Sequence, residues 1–78
     1  MEYLVTFFTH YGAMRFHKLC SKAGVQSKLM PVPRELSASC GVCVSLFATS
    51  APAPEEHEDL ELCYAINPGG VFTKVSAG

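Results

Sequence analysis

Four cysteines, Cys20, Cys40, Cys43 and Cys63, supply the nucleophilic side chains of this 78-residue chain, and their surroundings differ. Cys40 lies at the end of the run Pro31-Val32-Pro33-Arg34-Glu35-Leu36-Ser37-Ala38-Ser39, directly before Gly41, Val42 and Cys43. The Pro-Arg step is conformationally restricted, and the small residues after it allow a tight turn at the mouth of a strand. Hydroxyls of Ser37 and Ser39, backbone N–H groups opened by Gly41, and the Arg34 guanidinium can all face a sulfur anion there. Such surroundings favour the thiolate, which is the nucleophile and the metal ligand. The expectation is an exposed, reactive Cys40, ahead of Cys43 and far ahead of Cys20 and Cys63.

A plainer reading stands beside it: cysteine is among the most buried residue types, and Ser39-Cys40-Gly41 is also a compact entry into a strand. Cys43 is a candidate resolving thiol, although an apolar residue packed on one face of the strand suits it equally. The Cys40-x-x-Cys43 spacing is weak evidence for redox chemistry, because thioredoxin-type pairs open a helix and this one opens a strand. Structural zinc needs four ligands and one such pair supplies two. Cys20 and Cys63 fall on inward stripes, and His10, His17 and His57 show no ligand spacing, so no metal and no cofactor is expected. Gly69-Gly70 is expected to follow a helix instead of opening one, so it is not a phosphate loop.

Composition narrows the class. The chain is 49% hydrophobic and 17% charged, too apolar to stay disordered, and residues 1–78 suffice for one domain. A net charge of -1 with scattered Lys and Arg argues against nucleic acid. No stretch is long enough for a membrane span, Met1-Glu2 is not a basic leader, and four cysteines are few for a disulfide scaffold, so a cytoplasmic protein with reduced thiols is expected.

The elements that must position Cys40 follow from periodicity and breakers. Residues 3–8 are β-branched and aromatic, as in a central strand. Thr9 is an N-cap, and Ala13, Phe16, Cys20 and Ala23 recur at helical steps, predicting a helix over 10–23 that Gly24 stops. Residues 25–32 read as an edge strand limited by Pro31 and Pro33, and 41–48 as a strand with Val42, Val44 and Leu46 on one face. After the stiff Ala51-Pro52-Ala53-Pro54, the acids Glu55, Glu56, Glu58 and Asp59 suit the positive end of a helix over 55–66, with Leu60, Cys63 and Tyr64 or Ile66 inward. Asn67-Pro68-Gly69-Gly70 then leads to a short strand over 71–75. The β-α-β-β-α-β order predicts an α+β, ferredoxin-like two-layer sandwich: a four-stranded antiparallel sheet, first and third strands central, with two helices on one face. The other face would be open and apolar enough to pair two copies as a homodimer.

The segment Pro31-x-Pro33-Arg34-x-Leu36-Ser37-x-x-Cys40-Gly41, with the first strand, Thr9-His10, Ala13 and Gly24-Val25, resembles the selenium/sulfur carrier-like family of small bacterial domains. The resemblance covers nearly the whole chain. It implies that Cys40 carries a persulfide or perselenide, with Arg34 and Ser37 as neighbouring motif positions, and that the partners are a chalcogen donor, such as a cysteine desulfurase, and an acceptor protein. It implies no two-thiol mechanism. The rival expectations are a non-catalytic interaction module with packed cysteines, or a CxxC redox or metal-binding protein.

Overall fold

A computed structural model describes residues 1–50 and 59–75. Among them the order is β1 (Glu2–Phe7), α1 (His10–Lys22), β2 (Ser27–Pro31), β3 (Val42–Phe47), β4 (Leu60–Asn67) and β5 (Val71–Lys74). The strands form one antiparallel sheet in the order β2-β3-β1-β4-β5. The two-helix, four-stranded ferredoxin-like expectation is therefore corrected. Among the described residues the structure has five strands and a single helix.

The helix expected over 55–66 fails where it can be examined, because Leu60–Asn67 is a strand beside β1. Its apolar residues suit both faces of an inner strand: Cys63 and Ala65 pack towards α1, while Leu62 and Tyr64 stand opposite Thr6 and Leu4. The connector 51–54 and the first four residues of that expected helix, His57 among them, lie outside the described residues. Asn67-Pro68-Gly69-Gly70 is the turn of the β4–β5 hairpin. The Gly70 N–H donates to the Asn67 carbonyl (3.0 Å), and Gly69 has φ +92°, the left-handed conformation wanted at the third position of a type II turn after proline.

The other elements form for the reasons visible in their residues. Thr9 is extended and its hydroxyl accepts the Gly12 N–H (3.0 Å), opening α1. Gly24, at φ +77°, closes it: the Gly24 N–H donates to Ser21 and the Val25 N–H to Cys20, the paired bonds of a Schellman ending. Ala13, Phe16 and Cys20 are buried at helical spacing against Tyr3, Val5, Phe7, Val44, Leu46, Leu60, Cys63 and Ala65. Phe7 and Phe16 pack with their rings tilted by 46° and ring centres 5.3 Å apart. β2 lies at the edge, where Pro31 leaves no inner ladder bond unmade. On the opposite face of the sheet Leu4, Thr6 and Cys43 are fully buried, so the centre of the face expected to be open is covered. No helix among the described residues is long and apolar enough to cross a membrane.

Candidate functional site

β2 and β3 are joined by the Pro-Arg segment, which leaves the sheet after Val32 and returns at Gly41. The Val32 N–H donates to the Gly41 carbonyl (3.1 Å), closing the loop's neck, and the Leu36 N–H to the Pro33 carbonyl (3.1 Å), turning its tip. Two prolines stiffen the outgoing limb, so the cost of ordering the loop is reduced before any contact forms. Cys40 sits just above that neck.

Cys40 retains 8% exposure, so the expectation of an exposed thiol is corrected: it is a buried residue at a surface loop. Arg34, Ser37 and Gly41 are exposed on the same loop. Among the described residues no hydrogen bond or ion pair joins Arg34 or Ser37 to Cys40. Ser39 points elsewhere: its N–H donates to Glu61 Oε1 (3.1 Å) and its hydroxyl to Glu61 Oε2 (2.8 Å).

Glu61 reaches Ser39 because of an irregularity in β4. Thr6 stands opposite Leu62 and Phe7 opposite Leu60, so Glu61 is the extra residue of a bulge, and a bulge re-aims the side chain it carries. Sequence reasoning missed Glu61, having placed it on a helix. The signal that would have found it is the pairing of Leu62-Cys63-Tyr64-Ala65-Ile66 with Val71-Phe72-Thr73 across Pro68-Gly69-Gly70, a strand-turn-strand pattern.

Cys43 lies on β3 opposite Thr6 and Met30 with no exposed surface, and its thiol donates to the Pro31 carbonyl (3.6 Å). Burial pushes it up to about 11, and negative charge on Cys40 adds to that. Cys63, in the core under α1, is also pushed up to about 11 by burial. Cys20 is raised by burial, with a smaller opposing effect from a Ser27 hydrogen bond. All four cysteines are free thiols. The sequence expectation that Cys20 and Cys63 are core residues holds, although Cys63 reaches the core from a strand. His10 is exposed in the first turn of α1, and His17, expected on a solvated face, is half-buried with Nδ1 2.7 Å from the Ser27 hydroxyl. No cluster of three or more His, Cys, Asp or Glu able to hold a metal occurs among the described residues.

The arrangement offers one thiol at a stiffened loop neck, beside three others whose pKa burial pushes up. No curated protein and no solved structure matches the chain. Residues 2–57 match the family described as "Putative Se/S carrier protein-like", a span that includes β1, α1, β2, the Pro-Arg loop, Cys40 and β3. The chain belongs to that Se/S carrier-like family.

Proposed function

We propose that the protein is a single-thiol chalcogen carrier in which Cys40 holds a terminal sulfur or selenium and hands it to an acceptor protein. The observation that supports this most is the position of Cys40 at the neck of the Pro-Arg loop, inside the family-matched span, while burial pushes the pKa of Cys20, Cys43 and Cys63 up.

Loading begins with the Cys40 thiolate attacking the outer atom of a donor persulfide or perselenide. The bond between the donor cysteine sulfur and that outer atom breaks, its electron pair leaves with the donor thiolate, and a new bond forms to Cys40 Sγ. The proton lost by Cys40 matches the one the donor thiolate can take up, and nothing is oxidised or reduced overall. Delivery repeats the exchange with an acceptor nucleophile attacking the outer atom. A persulfide carries its charge about 2.05 Å beyond Sγ. In this reading Arg34 and Ser37, exposed on the same loop, offset that charge and donate hydrogen bonds to it. Cys43, protonated and bound to the Pro31 carbonyl, is a poor resolving thiol, which protects the loaded group from release as a Cys40–Cys43 disulfide.

The test is loading of the reduced protein by a cysteine desulfurase with free cysteine, read by intact-mass and peptide mass spectrometry. One added sulfur on Cys40 is expected, with Cys43→Ser loading normally, Arg34→Ala loading several-fold less and Cys40→Ser not at all. Full loading of Cys40→Ser, or sulfur found on Cys43, overturns the proposal. A Cys40–Cys43 disulfide as the main product favours the CxxC redox reading, and no loading of any thiol favours the interaction module.

A further inference from the structure

Lys and Arg are scattered along the sequence, but the fold gathers them. Of the chain's six, Arg15, Lys18 and Lys22 lie on α1 and Lys28 on the adjacent edge strand β2. α1 itself contains no acidic residue.

Two adjoining hollows run between α1 and β2. One, of about 480 Å³, is lined by His10, Met14, Leu29, Met30 and Pro31 and ends at Gly41, the residue after Cys40. The second, of about 430 Å³, shares Met14 and Leu29 with the first and is walled by Tyr11, Arg15, His17 and Lys18. Among the described residues neither is lined by an acid, since Glu2, Glu35, Asp59 and Glu61 all lie elsewhere. Tyr11 and Met14 are 68% and 59% exposed, large apolar side chains left facing solvent on a helix whose other face is fully used. The Arg15 guanidinium sits 5.9 Å from the Tyr11 ring centre, which keeps this cation over the apolar wall.

From this pattern we infer that the α1–β2 groove docks an acidic, leucine- or methionine-bearing segment of a protein that exchanges chalcogen with Cys40. The carboxylates of such a segment meet Arg15, Lys18 and the two histidines, and its apolar side chains fill the hollows. Methionines on the receiving side adapt to varied shapes, which suits a surface that must accept both a donor and an acceptor. Nucleic acid is the poorer occupant, because a phosphodiester chain offers nothing for the apolar floor. Docking along the groove brings the bound segment to Gly41, next to the thiol. The identity of the partner rests on the carrier reading, but the docking chemistry does not.

The test is fluorescence anisotropy of the full chain with a fluorescein-labelled peptide of repeating Glu-Glu-Leu units. Saturable binding is expected, weakening roughly tenfold from low to physiological salt as exposed charges are screened. Lys18→Glu should weaken it about tenfold, while Lys74→Glu, an equal charge change on β5 away from the groove, should leave it within about twofold. Circular dichroism confirms that α1 persists in both variants. Cys40→Ser should bind the peptide like the parent, so a failed loading experiment and a failed docking experiment are told apart. Equal weakening by Lys18→Glu and Lys74→Glu, equal binding of a Lys-Lys-Leu peptide or of oligothymidylate, or no binding at all would overturn the inference.

Discussion

Glu61 holds Ser39 at two points, taking the backbone N–H on one carboxylate oxygen and the hydroxyl on the other. The residue so held directly precedes Cys40, and the carboxylate that holds it comes from a bulge in a strand beyond the family-matched span. β4 thus anchors the loop that β2 and β3 only support at its neck.

Breaking this anchor should free the thiol. Two charge-assisted hydrogen bonds at an exposed site are together worth about 1–2 kcal/mol, so Glu61→Ala should raise the alkylation rate of Cys40 about tenfold and lower the unfolding free energy by a similar amount, about 1–2 kcal/mol. Ser39→Ala, which keeps the N–H bond, should have a smaller effect. Peptide-resolved iodoacetamide kinetics measure both, and an unchanged Cys40 rate in Glu61→Ala would show that the anchor does not govern access.

Stability should fall at alkaline pH for a reason located in two thiols. Cys43 and Cys63 stay protonated in the fold to about 11, whereas in the unfolded chain they ionise from about 9. Above pH 9 the unfolded state gains what the folded state cannot, so stability is level below 9 and declines between 9 and 11, on the order of 2 kcal/mol per thiol. Urea unfolding across that range should show the decline, and Cys63→Ala should roughly halve it, leaving the Cys43 share, even though the cavity lowers stability at every pH.

The start of α1 contains a second tight fit. Asp59 accepts the Thr9 hydroxyl (3.2 Å), its carbonyl accepts the Phe8 N–H (2.8 Å), and its side chain lies where a Cβ on Gly12 would be. Gly12→Ala should therefore cost about 1–3 kcal/mol, unlike an ordinary glycine-to-alanine change within a helix, which stabilises. Adding Asp59→Gly should recover part of that loss, a coupling that a double-mutant cycle of unfolding free energies measures directly.

Gly24→Ala should destabilise by about 1 kcal/mol, because φ +77° at this position strains any residue with a Cβ although open space surrounds it. Thermal unfolding checks it.

What could be read from the sequence was what local chemistry decides. Thr9 and Gly24 bound α1 because a cap hydroxyl and a left-handed glycine are properties of single residues. The inner placement of β1 and β3 follows from apolar residues on both faces of each. Leu60–Asn67 was misread because Leu60, Cys63 and Ile66 also satisfy a helical stripe, and the acids before them imitate a helix start. Pairing with β1 decided the matter, and pairing is invisible to periodicity. At the candidate site the loop and Cys40 were legible, but the burial of Cys40 and the turning of Ser39 towards Glu61 depend on a strand that the sequence reading had placed in a helix.

β1 occupies the middle of the sheet, yet both of its neighbours come from far along the chain; the Thr6 hydroxyl meets the Leu62 carbonyl 56 residues away. During synthesis the Pro-Arg loop is therefore made well before the strand that anchors it. Until β4 has been translated and docked, Ser39 lacks the Glu61 carboxylate that holds it, and the nascent chain passes through a stage in which the loop before Cys40 is unanchored. Sheets closed by such distant pairings fold in milliseconds to seconds, not microseconds. Over that interval Cys40 is more open to solvent than in the finished fold, where it is buried.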